Sequence, residues 1–447
     1  MKRKFLAMAL ATVMTASIFV GCGSDKKEGS SDKDTTKLVT EIKEPVTIEM
    51  WHYMNGKQQE VLNGLIDEFN KTNGKNITVK GVSQGSIPDL NKKVVTASQS
   101  NSLPAIINVY PDVVTGLIEG GKIFDLSGYV NSPEVGMAED IKNDFIPSFV
   151  EEVSQWEGKQ YGMPLTKSTE VVYVNKTLLE KLGYKVEDIQ NMTMDKLIEV
   201  SKKAKEKLDI PGFGFDSSSN AFISSLKMDG KDFVEIDGKV NVDNDWVKEF
   251  MKFYQENNQK GYLRIPGEDK YLSGPFSNQK VLMYQGSTAG ASHIKTDGKF
   301  EIAVVEAPVF KDKKNAVIQQ GASLFVTNDV KAEQQYAAYE FIKFMTNKEN
   351  SAKFAVETGY LPVRKSSADT DVVKKAIEKK DSLYGAIYPV AQKSLEYSYY
   401  TPAVNNAQSA RNVAMEKYDA FMKGDIKDAD TLVKELQADV TTSIGRK

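Results

Sequence analysis

Side chains that carry out covalent or metal chemistry are scarce in this sequence. It contains one cysteine, Cys22, and two histidines, His52 and His293, which lie far apart along the chain. Zinc sites are built from clusters of histidine and cysteine ligands, so these residues do not predict one. No strand-like segment is followed by a Gly-x-Ser-x-Gly elbow, a Walker loop or a dinucleotide fingerprint. The sequence therefore predicts neither a metal site nor a cofactor.

Paired carboxylates are a second source of chemistry. Glu151-Glu152 is such a pair, but acidic runs usually belong to a solvated surface. A glycoside hydrolase needs two acids that flank a cleft, and sequence alone does not exclude that arrangement. We expect a protein that is not an enzyme, with a glycoside hydrolase and an adhesin or scaffold lipoprotein as alternatives.

The position of Cys22 indicates acylation of its thiol. A basic start at residues 2–4 precedes an apolar stretch, 5–20, that is shorter than the ~20 residues of a membrane span. The stretch ends in Phe-Val-Gly-Cys, which resembles the bacterial lipobox, with Phe19 where that pattern prefers Leu. Residues 1–22 are expected to be a lipoprotein signal peptide whose cysteine is lipidated and becomes the new N-terminus. The remainder is then expected outside the cytoplasmic membrane, anchored to it by lipid.

The composition changes after the cysteine. Residues 23–44 are rich in Lys, acidic residues, Ser and Thr, which predicts a disordered tether. From Pro45 the composition is that of a globular protein. The whole chain has a net charge of -3, which favours neither nucleic acid nor an acidic membrane as a partner. A body of about 400 residues exceeds one core, so two lobes are expected.

Apolar periodicity predicts alternating strands and helices. Strands are expected at 46–51, 76–82 and 105–109, separated by helices that begin near 56 and 91, with a further helix over 113–119. This order predicts a parallel sheet. Ligands bind beyond the carboxyl ends of such strands, which places 51–53 and 110–112 at a potential binding mouth.

The second half of the chain repeats this alternation less regularly. A hairpin is expected at 156–164, a strand at 171–176 and a helix at 177–182 that Gly183 closes. A strand is predicted over 320–326. The remaining predicted helices share clear apolar faces and lie around 338–345, 350–356, 384–395 and 411–422.

Several motifs, taken in order, resemble those of the family 1 extracellular solute-binding proteins, the receptors of ABC importers for carbohydrates and related polyols. The segment 358–363, Thr-Gly-Tyr-Leu-Pro-Val, is most similar to the glycerol-3-phosphate-binding branch. The other landmarks are Leu-Pro-Ala-Ile at 103–106, Gly-Lys at 158–159, Tyr-Gly-Met-Pro at 161–164, Ser-Thr at 168–169, Tyr-Val-Asn-Lys at 173–176, Gly-Ala-Ser at 321–323 and Phe-Ile-Lys-Phe-Met at 341–345.

The resemblance implies a two-lobed periplasmic-binding-protein-like α/β fold of type II. Each lobe is a mixed sheet flanked by helices, with a hinge between the lobes. The expected N-terminal lobe is 45–163 with 306–348, and the expected C-terminal lobe is 164–305 with 349–447. A monomer is expected to trap a sugar or polyol phosphate between the lobes and deliver it to ABC transporter permease subunits.

Ligand-binding residues are also implied, position by position. This chain keeps the residue type of the glycerol-phosphate branch at five positions, and the Arg411 guanidinium would suit a phosphate or carboxylate oxygen. A surviving aromatic of the second lobe and two residues at strand ends are added as candidates. The full set is Ser168, Ser287, Gly321, Tyr360, Arg411, Phe222, Trp51 and Asp112.

Three positions depart from that branch. Ile87 stands near its polyol-binding tyrosine, Pro111 aligns with its hydroxyl-binding glutamate, and Ser219 replaces one of its tryptophans. A neutral sugar or oligosaccharide, a glycerophosphodiester or another polyol phosphate therefore stays open beside glycerol 3-phosphate.

Overall fold

The structure is a computed structural model that describes residues 38–379 and 382–446. The expected signal peptide, the lipidation candidate Cys22 and most of the 23–44 segment lie outside the described residues. The strands are β1 (Val46–His52), β2 (Ile77–Ser83), β3 (Ile106–Val109), β4 (Gly162–Pro164), β5 (Ser168–Asn175), β6 (Phe213–Phe215), β7 (Leu263–Arg264), β8 (Met283–Ser287), β9 (Ile302–Val305), β10 (Val317–Gln320), β11 (Ser323–Val326) and β12 (Ser398–Tyr399).

Helices surround both sheets. The α-helices are α1 (Gly56–Thr72), α2 (Ile87–Gln99), α3 (Pro111–Glu119), α4 (Ser127–Val130), α5 (Ala138–Asn143), α6 (Pro147–Glu151), α7 (Lys176–Lys181), α8 (Met194–Leu208), α9 (Ser218–Lys227), α10 (Asp245–Gln259), α11 (Ser273–Ser277), α12 (Ala332–Met345), α13 (Lys348–Thr358), α14 (Asp371–Glu378), α15 (Leu383–Ser394), α16 (Ala407–Lys423) and α17 (Ala429–Ser443). Among the described residues, none of these helices combines the length and apolar character that a membrane span requires.

The first lobe contains a five-stranded sheet in the order β2-β1-β3-β11-β4. β1 pairs in parallel with β2 and with β3, which confirms the expected parallel unit. α1 buries Val61, Leu65 and Phe69, the residues whose spacing predicted it. The predicted strands and helices of this half are all present, and α2 and α3 begin earlier than expected because Pro88 and Pro111 occupy their first turns.

The second lobe contains a seven-stranded sheet in which β5 is central. Its order is β12-β10-β5-β8-β6-β7, and β9 also pairs with β5. Every residue of β5 is buried, as expected for a strand covered on both faces. α9, α10, α16 and α17 pack together in this lobe.

Two local predictions were wrong. The segment 156–164 is not a hairpin, because β4 pairs with β11 and not with the residues before it. The turn signal was real, since Glu157 and Gly158 both have positive φ. The segment 320–326 is not one strand: β10 pairs with β5 in the second sheet, and β11 pairs with β3 in the first.

The chain passes between the sheets at Gly321. This residue has a φ of 124°, and a Cβ placed on it would lie 1.7 Å from the Thr166 carbonyl oxygen. Only glycine permits this approach of two crossing segments, 165–167 and 321–322. A third segment joins them, because the Leu361 backbone N–H donates to the Lys167 carbonyl at 2.7 Å.

The lobes interleave along the chain. Within 306–348, which was expected in the first lobe, β11 and α12 lie with the first sheet, whereas β10 lies in the second. Within 349–447, α13 packs on α1 of the first lobe, and α16 packs on α9 of the second.

Candidate functional site

A cleft of about 250 Å³ lies between the two lobes. From the first lobe it is lined by the start of α2, by 110–112 at the start of α3, and by Glu152. From the second lobe it is lined by the start of α9, the end of β10 and one face of α16. We call these two surfaces the first wall and the second wall.

The first wall is built where β3 ends and α3 begins. Tyr110 is the N-cap position, and Pro111 starts the helix without needing a backbone donor. The Asp112 carboxylate accepts hydrogen bonds from backbone N–H groups of its own turn and from that of Gln408, on the second lobe. Burial raises the pKa of Asp112, although Arg411 and these donors favour its ionised form.

The second wall is a network of amides around one guanidinium. Arg411 of α16 donates to the Asn220 side-chain oxygen and, at 3.5 Å, to Ser219 Oγ. Asn220 Nδ2 in turn donates to Gln320 Oε1 at 2.9 Å. The wall therefore joins three elements that are distant in sequence, and its polar groups hold one another in place.

A buried carboxylate supports the second wall from behind. Glu170 of β5 accepts from Asn220 Nδ2 at 2.5 Å and from Gln285 Nε2 at 2.8 Å. Burial raises the pKa of Glu170, and these two donors oppose the rise. Asp216 lies nearby and accepts from the Leu272 N–H at 2.5 Å, and burial raises its pKa to about 6.

A buried ion pair lies where the cleft meets the crossing segments. Lys167 has no exposed side-chain surface, contacts the Glu152 carboxylate and donates to the Gly321 carbonyl at 3.1 Å. Burial raises the pKa of Glu152 more than Lys167 lowers it, and the Asp112 charge adds to the rise. The pair therefore connects the first wall to the crossing segments, about which the lobes would rotate in any hinge movement.

The lobes also touch directly beside the cleft. Thr115 Oγ1 of α3 donates to the Ala403 carbonyl at 2.9 Å, and the Ala403 N–H donates to Gln155 Oε1 at 2.9 Å. Asn405 Nδ2 donates to Glu119 at 3.3 Å. The segment between β12 and α16 thus rests on α3 of the first lobe.

A sequence profile described as bacterial extracellular solute-binding protein matches residues 64–381, which is most of the chain. The chain belongs to this family. It is therefore a bacterial extracellular solute-binding protein, and the resemblance that its motifs suggested is confirmed.

Two relatives of this solute-binding protein are sn-glycerol-3-phosphate-binding periplasmic proteins named UgpB. The protein of Brucella melitensis is 23% identical over 415 residues, which cover 88% of this chain and 93% of the relative. The protein of Shigella flexneri is 27% identical over 337 residues, which cover 72% and 75%. Both relatives are named as binding proteins.

Solved structures show the same fold at low identity. The cyclic alpha-maltosyl-1,6-maltose binding protein of Arthrobacter globiformis superposes with a TM-score of 0.76 at 18% identity, covering 90% of this chain and 99% of that one. UgpB of Mycobacterium tuberculosis, solved with glycerophosphocholine, superposes with a TM-score of 0.75, also at 18% identity and the same coverage. The expected two-lobed α/β fold is confirmed.

Among the expected site residues of this solute-binding protein, Asp112 and Arg411 face each other across the cleft. The three positions that depart from the glycerol-phosphate branch, Ile87, Pro111 and Ser219, line the same cleft. These residues come from α2, α3, α9 and α16, so the structure brings together positions that are far apart in sequence.

Ser168, Gly321 and Tyr360 lie at the crossing segments behind the cleft. Ser168 is buried at the start of β5, opposite Gln320. The Tyr360 ring stacks on Phe354, and its hydroxyl lies 3.3 Å from that of Tyr53. Burial raises the pKa of Tyr360 well above its usual value. In this structure these residues support the crossing and are not part of the cleft surface.

The remaining expected residues lie elsewhere. Ser287 uses its Oγ to accept from the Ala289 N–H in a turn after β8. Phe222 is fully buried in the core of the second lobe, because the inner face of α9 packs it edge-on against Phe233 and Phe250. Trp51 lines a separate groove beside α2 and donates to Glu49 at 3.4 Å.

Sequence reasoning missed two residues of the site. Asn220 was not considered, although its position at the polar start of a helix, after the N-cap Ser217, was a usable signal. Glu152 was treated as part of a solvated acidic run, whereas the structure buries it and exposes Glu151. Within the described residues, no group of His, Cys, Asp and Glu side chains is arranged to hold a metal ion.

Proposed function

We propose that this protein captures a small polyhydroxylated solute, a carbohydrate or a polyol phosphate, between its lobes and delivers it to the permease subunits of an ABC importer. The observation that carries the proposal is a cleft lined from both lobes by hydrogen-bonding groups, with Asp112 on one wall and Ser219 and Arg411 on the other. A solute that contacts both walls stabilises the closed arrangement of the lobes.

The names of the relatives support this class of solute. They include proteins that bind sn-glycerol 3-phosphate, glycerophosphocholine, a cyclic maltosyl-maltose and cycloalternan. All of these compounds present hydroxyl groups, each worth about 0.5–1.5 kcal/mol when hydrogen-bonded, so several contacts must converge for micromolar binding.

Two solute types are supported by different residues. Arg411 offers a planar fork of donors, which suits a phosphate oxygen. Gln320, Gln408 and Asn412 also line the cleft, and their amides suit the hydroxyls of a neutral oligosaccharide. The second candidate is therefore an oligosaccharide receptor.

The proposal includes binding without turnover, by a monomer that Cys22 anchors to the membrane. The anchor is tested with Cys22→Ala, which should release the protein from membranes, because multiple acyl chains bind firmly and one or none does not. Membrane retention equal to that of the wild type would contradict the anchor.

The capture proposal is tested by a thermal-shift screen of sugars, polyol phosphates and glycerophosphodiesters. A solute at a hundredfold excess over Kd should stabilise the fold by about 2.7 kcal/mol. Small-angle scattering should show compaction with the same solute, and the solute should be recovered unchanged. A full screen without either response would contradict solute capture, and conversion of the solute would favour a hydrolase.

A further inference from the structure

The charged groups around the cleft restrict the net charge of the solute that it can bind. Among the described residues, three charged side chains line the cleft: Asp112 and Glu152 on the first wall and Arg411 on the second. Two further carboxyl groups, Glu170 and Asp216, lie behind the second wall. Because Glu152 is paired with the buried Lys167, the charges that a solute meets at the cleft surface are Asp112 and Arg411, one of each sign, so the cleft carries no excess of positive charge.

The cations are already engaged. Lys167 is fully buried and contacts both Glu152 and the Gly321 carbonyl, so it does not reach the cleft. Arg411 is half-buried, and one of its terminal nitrogens donates to Asn220 and Ser219. Part of the hydrogen-bond donors of Arg411 are therefore in use. Its single positive charge is already compensated by the Asp112 carboxylate across the cleft, so it does not provide an excess positive charge for an anionic solute.

The two carboxyl groups of the first wall also affect each other. Both groups line the same cleft, and the Asp112 charge adds to the raised pKa of Glu152. A phosphate monoester brings close to two further negative charges at pH 8. In a partly desolvated cleft this repulsion is weakly screened.

We infer that the cleft selects solutes without net negative charge, and that Asp112 is the residue that disfavours phosphate monoesters. This class comprises neutral carbohydrates and phosphodiesters whose charge is balanced by a cationic group. The inference rests on the proposed function and narrows its solute class.

The test is isothermal titration at pH 8 with three probes: sn-glycerol 3-phosphate, glycerophosphocholine and maltose. The first is close to a dianion, the second is a zwitterion and the third is neutral. The wild type should bind sn-glycerol 3-phosphate at least tenfold more weakly than the better of the other two. Asp112→Asn should then raise the affinity for sn-glycerol 3-phosphate by about tenfold relative to the affinity for that better probe.

The asparagine keeps an oxygen that can accept from the Gln408 N–H, so the variant changes charge with little change in contact. Asp67→Asn is the matched control, because Asp67 is an exposed carboxylate on α1 of the same lobe, away from the cleft. Asp67→Asn should leave the ratio of the Kd values of the probes within twofold of the wild-type ratio.

Each of the following results would overturn the inference or the proposed function on which it rests. Tighter wild-type binding of sn-glycerol 3-phosphate than of both other probes would reject the charge selection and leave solute capture intact. An unchanged ratio in Asp112→Asn, or no detectable sn-glycerol 3-phosphate binding by that variant, would reject the role of Asp112. Failure of all three probes together with failure of the broader thermal-shift screen would reject the proposed function itself.

Discussion

The two walls of the cleft are built in different ways. Part of the first wall is local, because Tyr110, Pro111 and Asp112 are consecutive residues where β3 meets α3, although the start of α2 and Glu152 also line this wall. The second wall is assembled from α9, β10 and α16, and its Arg411–Asn220 contact joins residues 191 positions apart. The 110–112 segment of the first wall is thus set by backbone geometry, and the second wall by side chains that position one another.

This difference has a mechanical consequence. A wall fixed by backbone tolerates changes to neighbouring side chains, whereas a hydrogen-bonded network loses several contacts when one member is removed. The crossing segments differ from both walls, because they are buried and tightly packed. We therefore expect the crossing to govern stability and the second wall to govern affinity.

The largest effect is expected at the crossing. Gly321→Ala places a Cβ 1.7 Å from the Thr166 carbonyl at a φ of 124°, so the two segments must separate. We expect a loss of about 4 kcal/mol or more in the free energy of unfolding, or no folded protein. Gly298→Ala is the control, since Gly298 also has a positive φ but nothing lies within 4 Å of its Cβ position. Similar denaturant midpoints for the two variants would show that the crossing is not tightly constrained.

The second-largest effect is expected for the buried Lys167–Glu152 ion pair. Glu152→Gln leaves the buried Lys167 ammonium without a carboxylate, and breaking such a pair costs about 3–5 kcal/mol of stability. Adding Lys167→Met should recover part of that loss, because neither charge then remains buried. Glu206→Gln, in the exposed Lys202–Glu206 pair, should cost less than about 1 kcal/mol. Additive effects of Glu152→Gln and Lys167→Met in chemical denaturation would contradict this coupling.

Arg411 tests the second wall. Arg411→Ala should weaken binding of the solute found by screening by about tenfold to a hundredfold, because it removes charge-assisted hydrogen bonds and leaves Asn220 without its donor. Arg411→Lys should restore only part of the affinity. Lys423→Ala, an exposed cation at the end of the same helix, is the control. Titration calorimetry that shows equal affinity for Arg411→Ala and Lys423→Ala would exclude Arg411 from the site.

The smallest effect is expected where the lobes touch beside the cleft. Thr115→Val removes the hydrogen bond to the Ala403 carbonyl, worth about 1 kcal/mol, and should weaken solute binding by about fivefold. Thr96→Val is a suitable control, since the Thr96 hydroxyl bonds only the Lys92 carbonyl within α2. Equal affinities in the two variants would mean that this contact does not help to hold the lobes together.

The sequence predicted the local 110–112 segment better than the parts of the site that distant elements assemble. Strand and helix periodicity placed 110–112 at the mouth, because that position follows directly from where β3 ends. The family resemblance supplied Arg411, whereas Asn220 and Glu152 depend on packing between distant elements and leave little periodic signal. The 320–326 segment was predicted as a single strand because it ends in the β-prone Leu-Phe-Val at 324–326, and the change of sheet at Gly321 depends on its approach to Thr166.

The central claim is that the two walls close on a shared solute, and a distance across the cleft tests it directly. Spin labels at Lys92→Cys on α2 and Glu416→Cys on α16, both exposed, report the separation of the walls in a Cys22→Ala background. Pulsed electron resonance should give a shorter and narrower distance distribution with saturating solute than without it. An identical distribution in the two states, with binding of that solute to the labelled protein confirmed by calorimetry, would contradict closure of the lobes around the solute.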